Sequence, residues 1–458
     1  MKKFILSTVS LLLAFSAWSQ DIKGSWNGLL DVSIIKLRLV FHIEEKDGVY
    51  SATMDSPDQG AKGLPVTSVT FKNPHLQINI ADVGANYEGV LQNDTIRGNF
   101  MQMGQVFPLV FTRNEIAAKL RPQDPIPPYP YNTEDVKFEN AEAGITLAGT
   151  LSWPKEGSNF PVAVLVTGSG PQNRNEEVFD HRPFLVLSDH LTRNGIAVLR
   201  YDDRGVAESG GNYATATIDD FSDDAAAAVA YVKTRKEINP EKIGIIGHSM
   251  GGTIAFMLAG KDNSDLAYIV SMAGMAIPGD SLLRMQRYLT AKASDISDVD
   301  VAQNELLISR LDSIVNKHSE EYILQNMDDI ADFLLPDSLK DNKTFRAEFQ
   351  YGIQVMISPE FKSIRNCNPA GVLTKIQCPV LAVNGEKDLQ VPADANLDRV
   401  KALVKSPVTI KKYLGLNHLF QHAATGLITE YAQIEETIAP EVLRDITEWL
   451  QKTVMSYE

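Results

Sequence analysis

Half of the ten residues from Arg121 to Pro130 are proline, at positions 122, 125, 127, 128 and 130. Each proline fixes φ and removes a backbone donor, so this run can be neither helix interior nor central strand. It reads as a semi-rigid, extended linker, and it divides the 458-residue chain into two folds in series. The hydrophobic grammar changes across it. Before the linker, apolar residues recur at every second position; after it, continuous apolar runs alternate with helical spacing.

The first residues stand outside both folds. Lys2 and Lys3, the apolar run Phe4 to Phe15 and the small-x-small triplet Ala17-Trp18-Ser19 predict a signal peptide over 1–19. The run is too short for a membrane span, and no later stretch approaches the roughly 20 apolar residues that one needs. No cysteine follows it to carry a lipid. The mature chain is therefore expected to be soluble and exported, periplasmic or extracellular. Its partners are constrained by charge: 43 Lys and Arg against 58 Asp and Glu give −15, which becomes −17 without the two leader lysines. Such a surface repels nucleic acid and anionic membranes, and no basic patch offsets it. Cys367 and Cys378 are the only cysteines, too few for a four-thiolate metal site. Eleven positions apart, they either pair in an oxidising compartment or remain free thiols.

Residues 20–114 read as all-β. Val32, Ile34, Leu37, Leu39 and Phe41 carry a strand pattern, and Asp47-Gly48 is a hairpin turn before Tyr50, Ala52 and Met54. Short strands follow over 66–71, 76–80, 87–91, 95–100 and 106–112. Seven or eight strands in about 90 residues predict a small barrel or sandwich. His42, His75, Asp55 and Asp58 show no metal-ligand spacing and read as structural histidines and turn aspartates.

Beyond the linker, 115–135, the segments 136–140 and 145–153 form an opening hairpin. Apolar strands are predicted over 162–167, 196–201, 243–246, 268–272, 380–384 and 408–413, with helices over 184–194 and 217–233 between them. Continuous apolar strands alternating with helices mean an α/β fold, a mostly parallel sheet covered on both faces. Asp219, Asp220, Asp223 and Asp224 fall at a helix start, where the dipole favours acids; they read as a solvated helix end rather than a metal cluster.

Gly247-His248-Ser249-Met250-Gly251-Gly252 directly follows one of these strands and opens an apolar helix. Gly-x-Ser-x-Gly in a strand-turn-helix context is a nucleophile elbow: the serine sits at a strained turn, and the glycines let neighbouring backbone approach without a Cβ clash. With this motif, residues 136–458 resemble an α/β-hydrolase of the bacterial serine-esterase and serine-aminopeptidase-like branch. The resemblance implies a triad in the chain order Ser, acid, His. Asp388, in Val383-Asn384-Gly385-Glu386-Lys387-Asp388, stands in the usual place for the acid, with Glu386 and Asp394 as alternatives. Only His418 and His422 follow it. His418, just after the last strand, is the expected base, and His422 a surface or pocket residue. The oxyanion donors are expected to be the backbone N–H groups of Met250 and, from the loop Thr167-Gly168-Ser169-Gly170-Pro171, Ser169. Thr167 stands where the family often has histidine, which removes a side chain that braces this loop. Arg200-Tyr201-Asp202-Asp203-Arg204-Gly205 also resembles a family segment; Asp203 and Arg204 read as a structural charge pair near the site. His248 reads as packing, and His181 and His190 lack partner spacing.

About a hundred residues separate the strands ending near 272 and starting at 380, far more than one crossover needs. Amphipathic helices over 282–293, 301–315, 320–334 and 345–356 predict a helical cap, an insertion over about 279–375. Its Leu282, Leu283, Met285, Tyr288, Phe333, Phe349, Tyr351 and Met356 read mostly as cap core, one or two lining an acyl pocket. No cofactor or metal is implied. The predicted activity is hydrolysis of a small-molecule carboxylic ester; an aminopeptidase or amidase with the same triad is the alternative, with Asp312, Glu320, Glu321, Asp328 and Asp329 available to a substrate ammonium. A glycan- or ligand-binding protein with a silent hydrolase fold is the more distant one.

Overall fold

At the Asp47-Gly48 turn both residues have positive φ, 52° and 78°, and Lys46 pairs with Val49 across it, the two-residue geometry that matches the right-handed twist of paired strands. The computed structural model describes residues 21–32, 36–57, 61–102, 105–117 and 121–455. The predicted signal peptide, Ile34 and Asp58 lie outside the described residues. Nine strands make up the first sheet: β1 Gly24–Asp31, β2 Lys36–Lys46, β3 Val49–Ser56, β4 Ala61–Pro65, β5 Ser68–Lys72, β6 His75–Ile80, β7 Ala85–Gln92, β8 Thr95–Gln102 and β9 Gln105–Thr112. They run antiparallel in the order β4-β3-β2-β1-β9-β8-β7-β6-β5. The two edges are consecutive in the chain, so the sheet must curl until they approach. At the junction Val66 N–H donates to the Ala52 carbonyl at 3.2 Å and Thr67 N–H to that of Asn79 at 2.8 Å. Trp26, Phe41, Tyr87 and Phe111 fill the interior, with the Phe41 and Tyr87 rings each 5.0 Å from Phe111. His42 is held by Ser25 and by Asp55, the latter at 2.8 Å. Among the described residues no group of three or more His, Cys, Asp or Glu is arranged to hold a metal ion.

The proline-rich segment departs from the expected spacer. Arg121 and Asp124 are buried. The Arg121 guanidinium donates to the carbonyls of Phe179, Ala432 and Ile434 at 2.8–2.9 Å, Asp124 pairs with Arg182 at 2.7 Å, and Gln123 bonds to residues 437 and 438. Fixed proline φ angles make the segment stiff, and its polar residues between the prolines turn stiffness into a docked strap.

The second sheet has eight strands: β10 Asn132–Asn140, β11 Ile145–Trp153, β12 Phe160–Val166, β13 Ala197–Tyr201, β14 Ile238–His248, β15 Tyr268–Met272, β16 Val380–Gly385 and β17 Val408–Tyr413. The order is β10-β11-β13-β12-β14-β15-β16-β17, parallel from β13 to β17. Helices α1 Pro183–Arg193, α2 Ile218–Lys233 and α3 Met250–Ala259 connect the central strands. This is the α/β-hydrolase architecture, preceded by an all-β domain. From β12 the chain steps to β13 on one side and then across to β14 on the other. Loops diverge at such a reversal, and the crevice beyond the carboxyl ends of β12 and β14 is where ligands bind in sheets of this kind.

Between β15 and β16 lie α4 Gly279–Ala293, α5 Asp298–Val315, α6 Glu320–Gln325, α7 Met327–Leu334, α8 Asp337–Lys340, α9 Lys343–Ile357, α10 Pro359–Asn366 and α11 Ala370–Leu373; α12 Ala393–Leu403 and α13 Pro440–Leu450 complete the fold. The single helix expected over 320–334 is broken at Asn326, whose side chain donates to the Tyr322 carbonyl and stops α6. The inserted helices have their own core of Leu311, Val315, Ile323, Ile330, Leu334, Ile353 and Ile357. Tyr288, Phe333 and Tyr351 are not part of it and stand exposed, Phe333 at 77%. On α7, Ile330, Ala331 and Leu334 occupy the buried stripe, and Phe333 falls outside it. Cys367 and Cys378 are free thiols, pushed up to about 11 by burial.

Candidate active site

Ser249 follows β14 with φ 53° and ψ −119°, a conformation sterically costly for a residue with a Cβ. The turn leaves no room for side chains beside it. A Cβ on Gly247 would lie 2.0 Å from the Gly251 carbonyl oxygen, and one on Gly251 would lie 2.0 Å from that of Val166. Met250 begins α3, so its N–H has no partner within the helix. Met250 lines the cleft at this end of the helix, where the dipole favours negative charge.

The loop after β12 supplies a second amide. Gly168 N–H donates to Glu176 Oε1 at 2.8 Å and Gly170 N–H to Glu360 Oε1 at 2.9 Å. The flanking amides are thus occupied, and Ser169 between them lines the same cleft as Ser249. Thr167 does not leave the loop unbraced, contrary to expectation: its hydroxyl donates to Asp203 at 2.7 Å, and the second Asp203 oxygen accepts Gln172 N–H at 2.9 Å. Burial raises the Asp203 carboxyl well above the ordinary aspartate range. Asp203 and Arg204 do not pair with each other. Arg204 bonds to Asp224 at 2.6 and 2.9 Å and to Asp220 at 2.8 Å. Asp224 is buried and also accepts from Asn140, so part of the acidic helix start is a guanidinium partner rather than a solvated end.

The structure brings Asp388 and His418 together. His418 Nδ1–H donates to Asp388 Oδ2 at 2.7 Å, and Asp388 Oδ1 accepts the N–H groups of Gln390 and Val391, both at 2.8 Å. The carboxylate is 2% exposed and cannot turn away without losing three hydrogen bonds. Nδ1 is thereby fixed as the donor, and in the neutral imidazole Nε2 is then the acceptor. Ser249 Oγ forms no hydrogen bond among the described residues, so the structure does not join it directly to His418. His248, the residue before Ser249, donates Nε2–H to the His418 carbonyl at 3.0 Å, and its ring lies 4.7 Å from the His418 ring. Glu386 accepts from Gly415 N–H and Asp394 pairs with Lys412, both away from His418. His422 is exposed against Glu436 and Glu441.

Two groups here carry no signal in the sequence. Glu176 Oε1 accepts from His248 Nδ1 at 2.9 Å as well as from Gly168. Burial pulls the His248 imidazole down, but the Glu176 charge, its hydrogen bond and the His418 carbonyl outweigh this and hold His248 above the ordinary histidine value. With acceptors on both nitrogens, His248 is a buried partner of the Glu176 carboxylate, more than packing. Glu360 on α10 accepts from Tyr213 at 2.5 Å besides Gly170. Ser358 caps α10 ahead of Pro359 at its first turn, a readable helix start, yet nothing local says that the carboxylate meets a loop 190 positions away. Ser169, Ser249, Met250, Glu360, Phe361 and Gln390 line one cleft of about 340 Å³. Of the cap acids considered for an ammonium, Asp312, Glu320 and Asp328 are paired with Arg365, Lys362 and Arg346, and none of the five lines this cleft. His181 is buried between Thr437 and the Tyr431 carbonyl, lowered to about 4 chiefly by burial.

A family model described as serine aminopeptidase, S33, matches residues 183–351. Esterase EstD of Thermotoga maritima is 25% identical over 319 residues, which cover 69% of this chain and 68% of that protein. Among solved structures, the α/β hydrolase GrgF from a Penicillium species covers 71% of this chain and 99% of its own at 17% identity, TM-score 0.44. An esterase of Pyrococcus furiosus covers 71% and 92% at 18% identity, TM-score 0.43. Among the described residues no helix is long and apolar enough to cross a membrane. The strand order, the strained turn at Ser249 and these sequence likenesses together place the chain in the α/β-hydrolase superfamily, as a hydrolase resembling its serine esterases.

Proposed function

We propose that this chain is an exported serine hydrolase that cleaves carboxylic esters through an acyl-enzyme on Ser249. The observation that carries the reading is a serine on a strained turn in the cleft that Ser169 and Met250 also line, and the reading is supported by the hydrogen bond of His418 to the buried Asp388 at 2.7 Å. In this reading His418 Nε2 accepts the Ser249 proton as Oγ attacks the ester carbonyl, and Asp388 stabilises the imidazolium that forms. The N–H groups of Met250 and Ser169 receive the oxyanion. His418 then protonates the leaving alcohol, and water repeats the sequence on the acyl-enzyme to release the acid. The short apolar leader with its two lysines supports export.

A second reading, cleavage of an amide by the same triad, is favoured by one feature: Glu360 is the carboxylate lining the Ser249 cleft, where a substrate ammonium would find it. The name of the matching family points the same way, whereas that of the Thermotoga relative supports the ester. The test is turnover of p-nitrophenyl esters from acetyl to decanoyl beside aminoacyl-p-nitroanilides, with wild type and Ser249→Ala. Ester hydrolysis that falls on the order of 10⁶-fold in kcat with the substitution is the expected result. Turnover of anilides alone would put the peptidase reading in its place, and a folded protein that cleaves neither would favour a silent hydrolase fold.

A further inference from the structure

The helical cap contains a second cavity, about 870 Å³, between α4, α5, α9 and α10. Its surface is mostly apolar, with Leu283, Ile308, Leu311, Phe349, Met356 and Phe361 in its walls. Its charged neighbours are largely neutralised in pairs: Arg287 with Glu305 at 2.7 and 3.0 Å, and Arg365 with Asp312 at 2.6 Å. Leu283, Gln286 and Phe361 belong to the walls of both this cavity and the Ser249 cleft. The two spaces therefore adjoin, with Leu283, Gln286 and Phe361 between them. A short acyl group needs only the smaller one. Clefts of this size and lining hold whole apolar ligands.

We propose that the cap cavity is the acyl-chain subsite of this enzyme and that its substrates are esters of medium- to long-chain or similarly bulky apolar acids. The proposal rests on the ester reading above for its chemistry. The carbonyl carbon sits at Ser249, and the chain passes between Leu283 and Phe361 into the space under α5 and α9. Each methylene taken from water into that space raises kcat/KM about fourfold, until the cavity is filled.

Gly352 makes the test clean. It lies on α9 at the cavity wall, and a Cβ built on it meets no atom within 4 Å. Gly352→Phe therefore adds a ring at the cavity wall with no clash at its Cβ, and replacing a mid-helix glycine does not weaken the helix. Gly352→Ala, which adds only a methyl group, is the control. Two measurements are paired: kcat/KM for p-nitrophenyl acetate and decanoate, and calorimetric binding of decanoate below its micellar concentration. The expected result is that wild type prefers the decanoate ester at least tenfold. Gly352→Phe then loses at least tenfold on that ester, changes less than twofold on the acetate and binds decanoate at least tenfold more weakly. Equal losses on both esters, or none on the longer one, overturn the proposal while leaving the ester reading intact. Decanoate bound by wild type and weakened by Gly352→Phe, with no ester cleaved, upholds the cavity and overturns the ester reading. No cleavage and no binding overturn both.

Discussion

Replacing Glu176 with glutamine removes one charge and changes almost no volume. Glu176 Oε1 accepts Gly168 N–H at 2.8 Å and His248 Nδ1 at 2.9 Å, while Oε2 is buried without a partner. Hydrogen bonds to a charged group contribute about 1.5–3 kcal/mol each. A neutral amide oxygen keeps weakened versions of both, and the amide nitrogen gains no obvious acceptor, so Glu176→Gln should cost about 2 kcal/mol. Glu176→Ala should cost about 3–5 kcal/mol, because it leaves the buried His248 without its carboxylate partner. The loss should depend on pH. His248 is held above its ordinary value of 6.5 in the folded protein, so the pair's stabilisation is fully present below the unfolded-state value and fades as pH rises through the raised folded one. Urea unfolding at pH 5.5 and at pH 9 measures both quantities, and the difference between wild type and Glu176→Gln should shrink at the higher pH. Turnover adds a second readout, since the same carboxylate positions the loop bearing Ser169 N–H. Losing one oxyanion donor costs about 10²–10³ in kcat, and a displaced one should cost up to that with KM little changed. A Glu176→Gln protein as stable as wild type at pH 5.5, with unchanged kcat, would refute the reasoning.

Other expectations follow from the same geometry. Asp388→Asn keeps the shape but offers Nδ1 no charge, and should lower kcat on the order of 10⁴-fold in ester assays while circular dichroism stays unchanged. Arg204→Leu strands the buried Asp224 carboxylate and should cost about 3–5 kcal/mol in urea unfolding, most of it recovered in the double variant Arg204→Leu/Asp224→Leu if the cost is the unpaired charge. Gly251→Ala places a methyl group against the Val166 carbonyl, 2.0 Å away, and should abolish turnover or folding, whereas Gly371→Ala, whose Cβ meets nothing within 4 Å, should do neither.

What could be read from the sequence was whatever is local in the chain. The period of two before the linker and the apolar runs after it gave the two sheets, and the turn at Asp47-Gly48 fixed a register one pair at a time. Ser249 was legible because its elbow is contiguous: strand, glycine, serine, glycine, helix. Asp388 and His418 were reachable through their positions after late strands, an argument from resemblance rather than from spacing. Glu176, Glu360 and the Arg204–Asp224 pair were not legible, because each acts across 20 to 190 positions of chain. The exposure of Phe333 was missed for a related reason. Periodicity marks the apolar stripe of a helix but not how much of it a neighbour covers.

The docking of Arg121 changes where the catalytic unit begins. Its guanidinium holds three carbonyls, two of them in the stretch around 432–434 that follows His418, and this stretch also presents the Tyr431 carbonyl to His181. A shortened chain cut at 136, where the α/β sheet starts to read as such in sequence, would leave those carbonyls facing water and Arg182 without Asp124. One cut just before 121 would keep them satisfied. The covalent border between the two folds and the energetic one are some fifteen residues apart, and an exchange of the β domain for another would succeed or fail on which of the two borders it respected.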